Sequence, residues 1–342
     1  MNIKNMRIAI YGCGAMGTVL GAFLTKADLN VELIDVYEAH VNKLNSNGAT
    51  LVGLEDLNVP VKALLPTQMD GIYDLIILLC KQTANPDAFK ILKEHMNDDS
   101  TILTIQNGVP EPSLLKEFKE EQVLGGTILW AATFQEPGIS YVSEPLKEKK
   151  VYFEIGTING QENQRVRDTA EVLRCMGPTN ITNNLIGARW TKVLINSAVS
   201  GLSAATGNTF GFVIDSKKCR KIIGYIAKEA GQCAKADCVN FDPYAGIKLD
   251  RILKMGNIIT RKVFSLGMKI GFKNMKTGKA SMLQDLEKGK LTEVDMINGF
   301  ISQVGKKHGI PTPMNDKIVE IVHGIEQGKL PLSSSNLDLF KI

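Results

Sequence analysis

Residues 6–24 have the sequence MRIAIYGCGAMGTVLGAFL, and this stretch decides the fold. The apolar run over 6–11 predicts a short buried strand, and the run over 18–24 predicts a helix. Between them, Gly12, Gly14 and Gly17 have the spacing of a dinucleotide-binding turn. Gly12 permits the tight turn, Gly14 lets a pyrophosphate approach the backbone, and Gly17 lets helix and strand pack closely.

The helix that follows the glycines is a second reason to expect an anion here. Its first N–H groups have no partner within the helix, and its dipole favours negative charge at this end. The segment therefore predicts a nicotinamide or flavin dinucleotide site, and the alternative is an ordinary glycine-bearing turn. The predicted cofactor-binding residues of the turn are Gly12, Cys13, Gly14, Ala15, Met16 and Gly17.

The composition is that of a soluble globular protein, since 44% of the 342 residues are hydrophobic and 22% are charged. This length predicts two domains. A net charge of +4 is too small to indicate nucleic-acid binding, and no run of about twenty apolar residues predicts a membrane span. Six cysteines without a CxxC pair or metal-ligand spacing favour a cytoplasmic protein and indicate no metal site.

The second predicted strand, 31–35, ends in Asp35. This position lies about twenty residues past the glycines, where a carboxylate can hydrogen-bond both ribose hydroxyls of NAD. The same carboxylate would disfavour the 2′-phosphate of NADP, so Asp35 predicts a preference for NADH. The alternative is that Asp35 only caps the next helix.

Two continuous apolar runs, 74–80 and 101–105, predict strands buried on both faces of a parallel sheet. Lys81 and Asn107 follow them at the carboxyl edge, where open α/β sheets bind ligands. Asn107 could orient a nicotinamide or a substrate, but an Asn-Gly pair equally predicts a turn. The remaining strand predictions are a short hairpin at 51–54 and 59–61 and antiparallel additions to the sheet at 123–129, 139–142 and 151–155.

From residue 186 onward the pattern is helical, which places a domain boundary near residue 184. We therefore expect a dinucleotide-binding domain over 1–184 and a helical substrate domain over 185–342. The predicted helices of the second domain cover 187–205 and about 216–237, 249–266, 292–308 and 315–327. A dinucleotide domain joined to such a domain predicts a hydride-transfer enzyme, which needs a group that protonates the carbonyl oxygen of the substrate.

Lys192 and Asn196 are candidates for that chemistry. They are four residues apart and share one face of a largely apolar helix. Desolvation on such a helix lowers the pKa of a lysine toward a value useful for proton donation. The alternative is a lysine whose stem lies on apolar surface with its amine in water. Farther on, Thr292 could cap a helix beginning at Glu293, a position where glutamate commonly complements the helix dipole at the surface.

Several segments resemble the ketopantoate reductase (2-dehydropantoate 2-reductase) family of the 6-phosphogluconate-dehydrogenase-like superfamily. They occur in the family's order at 12–17, 106–108, 190–196, 281–285 (SMLQD) and 292–299 (TEVDMING). The resemblance implies an α/β fold, with an N-terminal Rossmann-like dinucleotide-binding domain and an all-α C-terminal domain. It also implies a cytoplasmic enzyme of pantothenate biosynthesis that uses NAD(P)H, usually NADPH, and a small 2-oxo acid.

The resemblance also implies roles for individual residues. Lys192 matches the proton donor to the C2 oxygen of the substrate. Asn196 and Ser281 match substrate contacts, and Asn107 matches a residue between nicotinamide and substrate. The remaining matches, on the cofactor side, are Lys81 and Ala132, which line the cofactor, and Glu293, which closes on its ribose and on the substrate.

Four positions depart from the family pattern. Ser200 stands where the pantoate-forming enzymes have a second asparagine one turn beyond Asn196, so we expect Ser200 to contact the substrate. Phe210 and Gly278 replace two further asparagines. Fewer amides predict weaker recognition of the 4-hydroxyl and carboxylate of ketopantoate. Asp35 replaces the basic environment that reads NADPH.

Three functions follow as hypotheses. The first is reduction of ketopantoate, or a closely related branched 2-oxo acid, by NAD(P)H. The second is an NAD-dependent D-2-hydroxyacid dehydrogenase of the mandelate type, which Asp35 and the lost asparagines favour. The third is a non-catalytic redox sensor, against which Lys192, Asn196 and Glu293 argue. The apolar positions of the helical domain also predict that it can form a homodimer.

Overall fold

The structure is a computed structural model that describes residues 2–144, 146, 150–243, 249 and 257–341, without the side chain of Asn274. Its contacts divide the chain into two compact units, Met1–Leu185 and Ile186–Ile342.

The described residues of the first unit form twelve strands in two sheets. The strands are β1 (Arg7–Tyr11), β2 (Asn30–Ile34), β3 (Ala49–Gly53), β4 (Leu57–Val59), β5 (Lys62–Leu64), β6 (Leu75–Leu78), β7 (Thr101–Thr104), β8 (Val123–Ile128), β9 (Ala132–Glu136), β10 (Ile139–Val142), β11 (Phe153–Thr157) and β12 (Thr179–Ile181). The large sheet has the order β12-β11-β8-β7-β6-β1-β2-β5, and the small sheet has the order β4-β3-β10-β9. From β5 to β8 the large sheet is entirely parallel.

Within the same described part of the chain, five α-helices accompany these strands. They are α1 (Ala15–Lys26), α2 (Glu38–Asn47), α3 (Asn85–Glu94), α4 (Glu111–Leu114) and α5 (Gln164–Arg174). Alternate residues of the parallel strands enter two different cores, because successive side chains point to opposite faces. Ile8 and Ile77 belong to the core that includes α1 and α5, whereas Ala9 and Ile76 belong to the core that includes α3. Helices therefore cover both faces of the sheet, as expected for a parallel sheet.

Helix α1 lies between the two sheets. It packs against β1 and β2 of the large sheet and against β3, β4, β9 and β10 of the small one. Burial on several sides explains why α1 is apolar almost all round, with Val19, Leu20, Ala22 and Leu24 fully buried. The glycine turn at its N-terminus is therefore held by both sheets.

Two of the strand predictions need correction. β8 pairs in parallel with β7 and is antiparallel only to β11. β10 does not join the large sheet; it pairs with β3 and β9 in the small sheet. β11 is an antiparallel addition beside β8, as expected, and β3 with β4 forms the predicted antiparallel pair.

Helices are the regular secondary structure of the second unit in its described residues. The segment that opens it consists of α6 (Leu185–Ile195), a π turn (Asn196–Ser200) and α7 (Gly201–Thr206). The other helices are α8 (Phe210–Asp215), α9 (Lys217–Ala236), α10 (Ile258–Gly271), α11 (Ser281–Glu287), α12 (Val294–His308) and α13 (Pro313–Glu326).

The helix predictions hold, with differences at particular positions. The helix expected at 249–266 is described only from Ile258 and continues to Gly271, and residues 250–256 of that prediction lie outside the described residues. Helix α12 begins at Val294, one residue later than expected, with Glu293 at the cap position; Thr292 Oγ1 accepts the Val294 N–H at 3.2 Å. The helices α8 and α11 were not expected. No helix within the described ranges is long and apolar enough to cross a bilayer.

Candidate active site

The glycine turn has two constrained positions and one open position. Gly12 has φ +93°, and a Cβ there would overlap the backbone of Cys80. A Cβ on Gly17 would lie 2.7 Å from the Gly12 carbonyl oxygen. Around Gly14, which caps α1, no described heavy atom beyond the adjoining backbone lies within 4 Å of the Cβ position. Two glycines thus shape the turn, and the third leaves open space at a helix N-terminus, which fits the pyrophosphate of a dinucleotide.

A buried histidine that was not among the predicted site residues holds this turn. His40 Nδ1 accepts the Gly138 N–H at 2.9 Å, so Nε2 carries the proton and donates to the Cys13 carbonyl at 2.8 Å. Thr18 Oγ1 donates to the same carbonyl at 2.7 Å. The available signal was its position in α2, where His40 shares the buried face with Val41 and Leu44.

Asp35 lies beside the turn, directly after β2. The Gly12 and Cys13 N–H groups donate to the Ile34 carbonyl at 2.8 and 3.2 Å, which brings the end of β2 to the glycines. Burial, together with the nearby Asp35 carboxylate, raises the pKa of the Cys13 thiol well above its usual value. Asp35 Oδ1 accepts the Tyr37 N–H at 2.9 Å, so this side chain also supports the entry to α2.

At the carboxyl edge of β6 and β7, Lys81 and Asn107 are both half-buried. Gln106 joins the two strand ends, since its Nε2 donates to the Cys80 carbonyl and to Asn85 Oδ1, each at 2.7 Å. Gly108 has φ +79°, so the Asn107–Gly108 pair forms the bend that its composition predicts. Gln106 is therefore a further residue that shapes this edge, in addition to the predicted Lys81 and Asn107.

Ala132, the remaining predicted cofactor contact of the first unit, opens β9 in the small sheet. It is half-buried and pairs with Val142.

In the second unit, the helical segment 187–206 is almost entirely buried. All twenty of its residues are described, and seventeen of them are buried. The three exceptions are Lys192, Asn196 and Ser200, which recur every fourth residue. One accessible face of an otherwise enclosed helix therefore carries three of the predicted site residues and none of the apolar ones.

Lys192 has the electrostatics expected of a proton donor. Burial of the amine, reinforced by the charge of Arg189, lowers the pKa of Lys192 to about 7. The carboxylate of Glu293 acts in the opposite direction. Arg189 is completely buried, and Glu293 is half-buried at the cap of α12. Near neutral pH this amine can therefore both hold and release a proton.

Ser281 is exposed and is the first residue of α11, a helix that packs against α7 and the π turn. The two asparagine replacements noted in the sequence lie together. The Phe210 N–H donates to the Gly278 carbonyl at 2.9 Å, and Phe272 packs edge-on against Phe210 with ring centroids 5.2 Å apart. Among the described residues, no group of three or more His, Cys, Asp or Glu side chains could hold a metal ion.

Comparisons with known proteins agree with this fold. A 2-dehydropantoate 2-reductase of Pyrococcus horikoshii is 28% identical over 312 residues, which cover 91% of this chain and 94% of that protein. A ketopantoate reductase structure from Ralstonia eutropha JMP134 has a TM-score of 0.79 at 25% identity, covering 95% of this chain and 99% of the other. A D-mandelate dehydrogenase with NADH and anilino(oxo)acetate has a TM-score of 0.83 at 23% identity, with the same coverage, and shows likeness of fold.

The parallel sheet, the glycine turn and the helical second unit define an oxidoreductase with a Rossmann-type NAD(P)-binding fold. The model of "Ketopantoate reductase PanE/ApbA" matches residues 8–155, and that of "Ketopantoate reductase PanE/ApbA C terminal" matches residues 184–326. The chain belongs to the ketopantoate reductase family. The fold class and the enzyme class predicted from sequence are thereby confirmed.

Proposed function

We propose that this protein reduces the C2 ketone of ketopantoate, or of a closely related branched 2-oxo acid, with Lys192 as proton donor. The observation that carries the proposal is the accessible face of helix 187–206, which presents Lys192, Asn196 and Ser200. Packing alone does not explain a lysine on this face. Its side chain is only partly covered, but its amine is desolvated, which disfavours the charged form and lowers the pKa of Lys192 to about 7.

The bound cofactor would supply the hydride that reduces C2. As negative charge develops on the carbonyl oxygen, the Lys192 ammonium stabilises it by a hydrogen bond and then transfers its proton. Asn196, Ser200 and Ser281 offer amide and hydroxyl groups for the rest of the substrate. Asn107 would orient the nicotinamide and the substrate, and Glu293 would close on the cofactor ribose and on the substrate.

On the cofactor side, the turn 12–17 would hold the pyrophosphate above Gly14. Lys81 and Ala132 would line the remainder of the cofactor. Asp35, beside this turn, favours NADH because its carboxylate can accept hydrogen bonds from the ribose hydroxyls and would repel a 2′-phosphate. The first domain, 1–184, would thus bind the cofactor, and the second, 185–342, would supply the catalytic face.

The test is a matrix of two cofactors against ketopantoate, 2-ketoisovalerate and benzoylformate. We expect ketopantoate or 2-ketoisovalerate to have the highest kcat/KM, and NADH to be the better cofactor. Lys192→Ala should bind NADH normally but lose at least ~10²-fold in turnover. Lys221→Ala, which removes an exposed lysine of α9, is the matched control and should retain full activity. Near-normal turnover of Lys192→Ala would remove Lys192 from the mechanism.

A second candidate is an NAD-dependent D-2-hydroxyacid dehydrogenase of the mandelate type. The contact of Phe210 with Gly278 favours it, since an apolar pair stands where two amides are expected for ketopantoate. The D-mandelate dehydrogenase of similar fold was determined with NADH. A tenfold preference for ketopantoate over both benzoylformate and 2-ketoisovalerate would reject this candidate. A redox sensor would instead bind NADH tightly and reduce none of the three acids.

A homodimer and a cytoplasmic location remain predictions. Helix α10 supports the first, because Ile259, Val263, Leu266 and Ile270 are 48–68% exposed at spacings of four, three and four residues. Such spacing is typical of a helix that packs against another helix. Light scattering on the full chain and on Leu266→Lys would test pairing, which the charge should weaken.

A further inference from the structure

A chain of buried polar side chains runs through the second unit and ends on the π turn. It consists of Glu229 in α9, Asn315 in α13 and Asn298 in α12. None is more than 5% exposed. Its last contact is the carbonyl of Ser197, within the turn that carries Asn196 and Ser200.

The Glu229 carboxylate sets the direction of the hydrogen bonds that link Glu229, Asn315, Asn298 and Ser197. Its carboxylate accepts the N–H groups of Met314 and Asn315, at 2.9 and 3.1 Å, and Asn315 Nδ2 at 2.7 Å. Asn315 Oδ1 must then face Asn298, whose Nδ2 donates to it at 2.9 Å. The same Nδ2 donates to the Ser197 carbonyl at 3.1 Å.

The carbonyl of Ser197 needs such a donor because of the π turn. In an α-helix its partner would be the Gly201 N–H, four residues on. Here the Gly201 N–H donates to the Asn196 carbonyl, five residues back. Asn298 supplies the donor from outside the helix. This orientation leaves Asn298 Oδ1 without a hydrogen-bond partner among the described residues.

Gly201 makes room for that unpaired oxygen. A Cβ at this position would lie 2.6 Å from Asn298 Oδ1 and 3.2 Å from its Nδ2. The amide therefore lies directly against the helix at the point where the π turn ends. Burying an unpaired carbonyl oxygen is unfavourable. The two hydrogen bonds that Asn298 Nδ2 donates, to Asn315 Oδ1 and to the Ser197 carbonyl, must therefore offset this cost.

We propose that Asn298, oriented by Glu229 through Asn315, is a positioning residue that stabilises the π turn and thereby keeps Asn196 and Ser200 on the same accessible face as Lys192. In a continuous α-helix, residues four apart drift by about 40° around the axis. The π turn is wider and rotates less per residue, so it offsets the drift that would otherwise accumulate from Lys192 to Ser200. The effect of Asn298 on catalysis rests on the proposed function. Its effect on the π turn rests on the hydrogen bond to the Ser197 carbonyl alone.

The test compares Asn298→Ala with Asn336→Ala in the full chain. Asn336 is a matched control, since it is also buried and its Nδ2 donates at 2.9 Å to the carbonyl of Ala205, beyond the π turn. Burial raises the pKa of Glu229 to about 7, so assays at pH 8 keep it mainly ionised. We expect Asn298→Ala to lose at least ~10-fold in kcat/KM, mainly through KM, because substrate contacts move while Lys192 stays. Asn336→Ala should stay within about twofold of the parent.

Amide hydrogen exchange gives a readout that is independent of activity. Exchange over 197–202 should accelerate at least ~10-fold in Asn298→Ala and remain unchanged in Asn336→Ala. If Asn298→Ala does not fold, Gly201→Ala replaces it, because its Cβ displaces the amide without removing a polar group. Equal effects of Asn298→Ala and Asn336→Ala would overturn the proposal. If the parent reduces no 2-oxo acid, the proposed function fails, and exchange alone decides whether Asn298 holds the turn.

Discussion

The ring of Phe210 borders the space that a side chain at position 278 would occupy. Its Cδ2 lies 3.1 Å from the Cβ position of Gly278, and its N–H donates to the Gly278 carbonyl. The family resemblance places an asparagine at each of these positions in the pantoate-forming enzymes. Because Phe210 and Gly278 are in contact, we expect the effects of changing them to depend on each other.

Coupling of this kind is measurable in a double-mutant cycle. Gly278→Asn alone should lower stability by about 1–3 kcal/mol, because its side chain meets the Phe210 ring. The double variant Phe210→Asn/Gly278→Asn should be more stable than the sum of the two single effects predicts, by at least ~0.5 kcal/mol. It should also shift the kcat/KM ratio toward ketopantoate over 2-ketoisovalerate. Additive melting temperatures with an unchanged ratio would contradict the coupling; thermal unfolding and steady-state kinetics supply both values.

Two glycines of the turn allow a paired comparison. Gly14→Ala should fold with nearly unchanged thermal stability, since its Cβ meets open space, yet weaken NADH binding at least ~10-fold by blocking the pyrophosphate. Gly12→Ala should instead lose about 2 kcal/mol or more of stability, because φ is +93° and its Cβ overlaps Cys80. Fluorescence titration and thermal unfolding distinguish these effects. Normal NADH affinity of Gly14→Ala would exclude a phosphate site over Gly14.

The cofactor preference depends on one charge. Asp35→Asn keeps the side-chain oxygen that accepts the Tyr37 N–H but removes the negative charge. We expect its kcat/KM ratio of NADH to NADPH to fall at least ~10-fold, because repulsion of the 2′-phosphate is lost. Glu38→Gln, which neutralises an exposed acid in the first turn of α2, is the control. A parent enzyme that prefers NADPH would refute this role of Asp35.

The lowered pKa of Lys192 determines two pH dependences. Reduction needs the ammonium, so its kcat should fall as pH rises above about 7, and the reverse oxidation should rise through the same pH. The pKa in the fold lies below the ordinary lysine value of 10.5, so the folded state binds fewer protons between about 7 and 10.5. The stability contribution of Lys192 therefore increases across that window as pH rises and is least favourable below pH 7.

Replacing Lys192 with an uncharged residue separates its effect on turnover from its effect on stability. Lys192→Met should abolish turnover and should raise the melting temperature more at pH 6 than at pH 10, because the penalty for burying a charged amine is removed. Thermal unfolding at the two pH values makes the comparison. A larger gain at pH 10 would contradict the lowered pKa.

The parts of the fold that were predictable carry local, periodic signals. The glycine turn is contiguous in sequence, the runs at 74–80 and 101–105 are too apolar to face water, and the second unit keeps a helical period. The orientation of β8 has no such signal. All six of its residues are buried, so alternation cannot separate parallel from antiparallel pairing.

The site was less predictable, because its defining contacts join distant residues. The spacing of Lys192 and Asn196 on a helix makes them candidates for the site. The sequence pattern does not indicate the π turn, since Ala198 and Val199 within it are as apolar and as buried as their α-helical neighbours. Nothing local in the sequence indicates that Phe210 meets Gly278, that His40 holds the Cys13 carbonyl, or that Asn298 reaches Ser197.

The enclosure of α1 between two sheets has a consequence for biosynthesis. The small sheet closes when β10 pairs with β3, joining Ile139 to Thr50 across about ninety residues of chain. The glycine turn leaves the ribosome early, yet its helix cannot be fully covered until residue 142 has followed. Nascent chains of intermediate length therefore expose apolar surface of α1, which makes them candidates for chaperone binding and makes fragments ending before β10 prone to aggregate.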